Sequence, residues 1–439
     1  MDKRKLLRKS RILSLSIVIL VVVLNAAAWN STVFSDWYIA YIFPVWVNLY
    51  GRVTGLFPFS VGEWMIAAGV ALVALALVVG VIWAGIGVVL AFWWGLRRIV
   101  YKAERRAESV PGKEATRAAG TEGAGKRNIV GSFRRFSRAF YRFFAWVLLV
   151  VSLVMTLNCF ILYHASTFSE HYFGEDEGEY TLVELIEVYN MVAEQCNYFA
   201  RVMERDENGM VLYGGSVGEN GEALDMADTA RMLMRKLGET YPQLDGFYPR
   251  PKALLTSDFM CQQYMQGYYF PFSMEANYND VMHILNIPST MCHELAHLRG
   301  YIYEDEANFI GYLACVQSGD AFFRYAGYLS VLTYLNNDLY KAWENSRSAY
   351  EEAVAIVRPV AVDAQVWEDN IFVTQEEWDR INGKALIDTE IVDKAADVFI
   401  DTNLKINGIA DGKISYSRVV TLLLQYYRLN PLPEVSGGS

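Results

Sequence analysis

Five cysteines in 439 residues are too few to staple a chain of this size, so disulfides are excluded as its main source of stability. Histidine is equally scarce, with five copies, so any two that fall close together stand out. Proline is sparse at 11, and hydrophobic residues make up 53% of the chain, which excludes a protein disordered throughout. Basic residues are outnumbered 39 to 49, and the resulting net charge of -10 argues against nucleic acid as a partner. The most telling absence is local. Residues 12–29, 64–96 and 143–163 carry no charge at all.

About 20 apolar residues, rising 1.5 Å each, cross a bilayer. Residues 12–29 and 143–163 fit one crossing each. Residues 64–96 exceed one crossing and fall short of two with a turn, so a single tilted or protruding helix is expected. The flanking charge then gives an orientation. Residues 1–11 hold six Lys/Arg against Asp2, and residues 97–142 hold thirteen against four Glu. Residues 30–63 hold only Asp36, Arg52 and Glu63, while residues 164–439 hold 42 acidic against 19 basic residues, a net of -23. The expectation is a multi-pass cell-membrane protein with the lipid bilayer as its first partner. Its N-terminus and 97–142 loop are cytoplasmic, and residues 164–439 are extracytoplasmic. A basic start, an apolar run and Ala26-Ala27-Ala28 also fit a signal peptide, but the run is long for one, which favours an uncleaved anchor. Gly, Pro and Ser in residues 109–113 and 120–125 suggest a flexible linker. Residues 37–59, aromatic and nearly uncharged, are expected at the outer membrane interface.

The expected fold class is α+β, mostly α. A membrane domain (1–163) precedes a soluble domain (164–430) and a flexible tail (431–439). Thr181-x-x-Glu184 and Thr374-x-x-Glu377 are capping boxes that open helices. Apolar spacing predicts helices near 181–204 and 222–240 and across most of 288–358. Residues 253–255 and 267–272 read as strands, the second stopped or confined to an edge by Pro271.

The chemistry lies in Met291-Cys292-His293-Glu294-Leu295-Ala296-His297-Leu298-Arg299-Gly300, which contains H-E-x-x-H. On a helix, positions i and i+4 share a face, so His293 and His297 can hold one Zn²⁺. Glu294 sits off that face and can act as general base on a water. Chance yields about 0.003 such motifs in a chain of this composition. A catalytic zinc needs a third protein ligand. The metzincin pattern would put His at position 303, where this chain has Tyr303. Glu304-Asp305-Glu306-Ala307-Asn308 follows instead. Gly300 can end the first helix and allow a sharp turn, and a second helix from Glu304 can fold back. Asn308, four residues on, then faces the same way and can orient a ligating His. Glu304 is favoured as the third ligand, with Glu306 as its rival. Only six residues separate His297 from Glu304, a short connection for such a site.

Four segments together resemble an uncharacterised bacterial family of three-span membrane proteins with an extracytoplasmic zincin-like domain of unknown function. They are residues 267–272 with Glu275-Ala276-Asn277, residues 293–300, residues 304–308, and residues 411–418. The resemblance implies a gluzincin-type zinc metallopeptidase domain. Glu304-x-Glu306-Ala307-Asn308 looks like the glutamate-helix motif of gluzincins, where the first Glu binds zinc.

The expected function is therefore a membrane-anchored metallopeptidase. It would use Glu294 as base, with His293, His297 and Glu304 on Zn²⁺ and Asn308 behind them, and would act on peptides or proteins at the cell envelope. A non-catalytic zinc sensor or scaffold and an amidase of cell-wall peptides are the alternatives. Sequence gives no oligomeric state. Glu275-Ala276-Asn277 either lines the cleft or caps a turn. Tyr301, Tyr303 and Arg324 are candidates to stabilise an oxyanion, His283 is expected at the surface, and at most one disulfide is expected among the four cysteines after residue 163.

Overall fold

The computed structural model describes residues 3–107, 123–174, 180–218, 220–406 and 418–433. Residues 109–113 and 120–122 of the expected linker, 411–417 of the resemblance and 434–439 of the tail lie outside them. The chain divides into two compact units. One comprises residues 1–19 and 64–153, the other residues 20–63 and 154–439.

The first unit is built from α4 (Val61–Ala107) and α5 (Gly123–Met155), with the start of α1 (Lys3–Asn30). Three stretches are long and apolar enough to cross a membrane: Lys9–Asn30, Val61–Lys102 and Gly131–His164. The uncharged run 64–96 is one helix, as expected. With 47 residues α4 is about 70 Å long, more than twice a bilayer core. Within the unit, Ala76, Val79 and Phe140 are buried together, and the Tyr141 hydroxyl donates to the Ala76 carbonyl at 2.8 Å. The described residues of the expected 97–142 loop are helical. α4 carries its basic end out to Ala107, and residues 123–125, read as linker, open α5.

The second unit opens with the end of α1, from Leu20, and continues into two helices within the stretch expected at the membrane interface, α2 (Thr32–Tyr41) and α3 (Phe43–Thr54). Ser31 caps α2, accepting the Phe34 amide. After a wide turn at 156–160 come α6 (Phe168–Tyr172), α7 (Leu182–Val202) behind the complete Thr181–Glu184 capping box, and α8 (Met226–Thr240) behind a small hairpin, β1 (Ser216–Val217) with β2 (Ala223–Leu224). β3 (Lys252–Ala253), α9 (Ser257–Cys261), β4 (Gly267–Phe270) and β5 (Glu275–Tyr278) follow. The rest is helical: α10 (Ile287–His297), α11 (Glu304–Val316), α12 (Ala321–Asn345), α13 (Arg347–Ile356), α14 (Ala364–Asp369), α15 (Gln375–Lys384), α16 (Thr389–Ile406) and α17 (Arg418–Leu429). Among the described residues the chain is mostly helical with few strands, close to the α+β class expected.

α10 is the centre of the core. Leu295, Ala296 and Leu298 are buried there with Phe309 and Leu313 of α11 and Leu332 and Leu335 of α12. A three-stranded sheet in the order β3-β5-β4 covers one side of α10. β4 ends before Pro271, as its missing N–H requires. It lies at the sheet edge, antiparallel to β5 with Phe270 opposite Glu275. Residues 275–277 lie in the central strand, which short length and a lack of β-branched residues disguised.

Glu275 explains much of how this unit is held. Its buried carboxylate accepts the amides of Val61 (3.1 Å) and Gly62 (2.8 Å) at the start of α4, the Ser273 hydroxyl (2.6 Å) and the Lys252 ammonium (2.5 Å). Lys252 also donates to the Thr54 and Phe59 carbonyls. A helix N-terminus favours a carboxylate through its unpaired amides and dipole. Two residues on, Glu63 accepts the Leu255 and Thr256 amides at 3.0 and 2.9 Å. Truncation at Glu275 would leave Lys252 buried and unpaired, a loss of about 3–5 kcal/mol. Denaturant titrations of Glu275→Ala and of Glu275→Ala/Lys252→Met in the same membrane mimetic should show the double variant as the more stable of the two. Additive losses would contradict this coupling.

Candidate metal centre

α10 and α11 are joined by six residues, and Gly300 makes the reversal between them with φ +94°, a region other residues rarely adopt. Space demands glycine as well, because a Cβ there would lie 2.8 Å from the Ile39 side chain. α11 therefore starts at Glu304 close to the histidine face of α10. The short connection is sufficient. Glu304 Oε2 lies 3.1 Å from His293 Nε2, and Glu304 Oε1 lies 4.0 Å from His297 Nε2.

The two imidazoles converge as well, with Nε2 atoms 3.1 Å apart. Each ring is fixed from behind. His297 Nδ1 is 2.7 Å from the Tyr301 carbonyl, and His293 Nδ1 is 2.9 Å from Asn308 Oδ1. A carbonyl only accepts, so His297 must carry its proton on Nδ1 and turn a bare Nε2 toward the centre. The same holds for neutral His293 against Asn308 Oδ1. Two lone pairs and a carboxylate then point at one another with no donor between them. One proton can relieve only part of this crowding, whereas a divalent cation satisfies all three acceptors at once. The donor set, two imidazoles and one carboxylate, fits Zn²⁺.

The electrostatics carry the same signature. Burial pushes the His293 pKa down, but the Glu304 carboxylate outweighs it, with help from Glu294 and Asn308, and raises it to about 9. Burial and the neighbouring His293 charge hold His297 down at about 4. Burial works against the Glu304 carboxylate, yet its contact with His293 brings it down to about 2.

Glu294 reaches toward the sheet. Its Oε1 is 4.0 Å from His293 Nε2, and its buried Oε2 has no hydrogen-bond partner. A Cβ on Gly267 of β4 would lie 2.7 Å from Oε1, so the strand backbone closes directly over this carboxylate. Burial and the charge of Glu304 raise its pKa to about 8, against the opposing pull of His293. The ligand atoms of His293, Glu294 and His297 lie within 4.8 Å of one another, so Glu294 borders the centre without making the closest approach to it. The side chain of Glu304 is 31% exposed, against 13% or less for His293, Glu294 and His297. The cluster is open to solvent on the Glu304 side.

Residues 123–424 match a protein family described as "Protein of unknown function (DUF3810)". The chain belongs to that family. The DUF3810 match runs from the start of α5 into α17 and includes every residue of the cluster. No curated protein and no solved structure matches the chain.

Of the other residues singled out in this DUF3810 sequence, Glu306 faces elsewhere. It is buried and accepts the Phe168 amide, which removes it from the cluster. Tyr301 contributes its carbonyl rather than its hydroxyl, the Tyr303 hydroxyl donates to the Tyr163 carbonyl, and Arg324 lies over the Phe199 ring. His283 is not at the surface. A single helical turn, Ile284–Asn286, tucks it inward, its amide pairs with the Phe372 carbonyl, and burial lowers its pKa. All five cysteines are free. The sequence reading missed Gly267, whose only signal is a glycine inside a strand, and the Tyr301 carbonyl, which has none.

Asn308→Ala removes the acceptor behind His293 and should weaken Zn²⁺ binding by about 10–100-fold. Glu306→Gln should leave binding unchanged. Competition with a chromophoric chelator measures both, and equal losses in the two variants would refute the assignment.

Proposed function

We propose that this protein is a membrane-anchored zinc metallopeptidase with a zincin-like domain, hydrolysing peptide bonds in proteins or peptides of the cell envelope. Zn²⁺ is its cofactor, held by His293, His297 and Glu304, with Asn308 orienting His293. The charge asymmetry of the sequence supports an orientation with the N-terminus and residues 97–142 in the cytoplasm and residues 164–439 outside.

The observation that carries the reading is Glu294. A purely structural metal site has no use for a buried carboxylate beside its ligands whose Oε2 lacks any partner. As a general base it has one. Bound zinc would polarise the scissile carbonyl and acidify a water. Glu294 takes the proton of that water as the oxygen bonds to the carbonyl carbon. It then returns the proton to the amine nitrogen as the C–N bond breaks. Burial and Glu304 favour its protonated form, and positive charge at the neighbouring ligands favours the carboxylate, so the group can serve in both directions. Edge strand β4 lies against this carboxylate and offers an extended chain a partner for main-chain hydrogen bonds.

Glu294→Gln keeps the volume and removes the base. The variant should hold one zinc per chain, like the wild type, and cleave a fluorogenic peptide library about 10²–10⁴-fold more slowly. Undiminished cleavage would remove Glu294 from the mechanism, and a wild-type chain that takes up no zinc would remove the metal.

A further inference from the structure

α2 and α3 each have two apolar sides. Their inner stripes, Tyr38 and Ile39 on α2 and Phe43 and Val47 on α3, are buried in the second unit. Their outer stripes repeat every fourth residue: Val33, Trp37 and Tyr41 on α2, then Val45, Leu49 and Val53 on α3. All six are exposed, and Leu56 and Phe57 extend the patch. The two charges of this stretch are occupied elsewhere. Asp36 accepts the amide and hydroxyl of Ser166, both at 2.8 Å, and the Arg52 guanidinium lies over the Phe247 ring at 4.1 Å. A continuous apolar stripe with no free charge does not face water without a partner.

Chain continuity names the partner. α1, long and apolar enough to cross a bilayer, ends one residue before α2, and α4, another such helix, begins after six residues beyond α3. Six residues reach about 20 Å at most, so neither helix can move far from the membrane surface. Trp and Tyr on the outer side suit the headgroup region. We propose that α2 and α3 lie in the plane of the bilayer interface with their outer face in lipid. They thereby hold the cluster at the membrane surface, where its substrate is a polypeptide segment close to the point at which it leaves the bilayer.

The link from this platform to the cluster is short. Ile39 of α2 fills the space beside Gly300, three residues past His297. Thr54 of α3 donates to the Ser273 carbonyl at 3.0 Å, in the turn between β4 and β5. Tyr269 of β4 lies 6.0 Å from the His297 ring, and its hydroxyl donates to the Asn158 carbonyl, in the third membrane-length stretch. The placement of the helices stands on the exposed stripe and chain continuity; the substrate class rests on the peptidase reading.

Environment-sensitive fluorophores on Val45→Cys and Leu49→Cys, and on Trp37→Cys and Tyr41→Cys as a second pair, test the placement in full-length protein in phosphatidylcholine nanodiscs. Ile356→Cys, exposed on α13, is the control, and labelled wild type sets the background from native thiols. Nitroxide-bearing lipid should quench the α2 and α3 labels and spare the control. Quenching no stronger than the control, or cross-linking of these positions between two copies, would overturn the placement. For the substrate, one quenched fluorogenic peptide is compared free in solution and carried on a lipid anchor. The anchored form should be cleaved at least about tenfold faster through its higher effective concentration. Equal rates beside quenched labels would overturn the substrate class. No cleavage of either form would overturn the peptidase reading and leave the lipid placement standing.

Discussion

The second unit is organised around three acceptors that repel one another. His293 Nε2, His297 Nε2 and the Glu304 carboxylate lie within 3.1–4.0 Å of one another, and nothing among them donates when both rings are neutral. Left to itself such a group would spread apart. It stays together because each member is anchored outside the cluster: one ring on a backbone carbonyl, the other on an amide side chain, and the carboxylate on the first turn of a separate buried helix. α10 is therefore packed on several sides, by α8, α11, α12 and the sheet, and the turn at Gly300 is strictly sized.

The same economy governs how the second unit takes in its membrane-flanking segments. The sheet that lies against Glu294 also caps the start of α4 through Glu275, and Glu63 of α4 caps the loop after β3. Charges are scarce between residues 30 and 63, and each has a partner in the folded unit: Asp36 on Ser166, Arg52 on Phe247 and Glu63 on Thr256. From the sequence these three look like residual charge in an apolar stretch. In the structure they are the fixings that let apolar helices pack on an acidic domain without stranding a buried polar group.

What could be read from the sequence was whatever follows from local periodicity. H-E-x-x-H puts two rings on one face because helices turn every 3.6 residues, and Glu304 with Asn308 repeats the argument one helix later. The capping box at Thr181 and the stop at Pro271 are local chemistry and appear where expected. What could not be read depends on distant partners. β5 is a strand because β3 and β4 flank it, not because Glu-Ala-Asn-Tyr prefers to be extended. Glu304 and Glu306 differ by two positions in a run of acids and so face opposite sides of α11, and the buried Phe168 amide that Glu306 accepts is a distant partner no local pattern announces. His283 is buried for a similar reason, since a residue with no local pattern takes its exposure from the fold.

The asymmetry between the two histidines follows from the same crowding. One proton can serve one ring. His293, nearer the Glu304 carboxylate, keeps it up to about pH 9, while His297, facing that charged ring, gives its own up and titrates near 4. His293 and Glu304 thus form an imidazolium–carboxylate pair with a neutral imidazole beside it. In the proposed zinc site a cation would take the place of the His293 proton and would contact all three acceptors. Because the unfolded chain has no such preformed site, the free energy of that exchange would add to folding free energy. It would act on α10 and α11, the two helices whose packing the rest of the second unit is built upon.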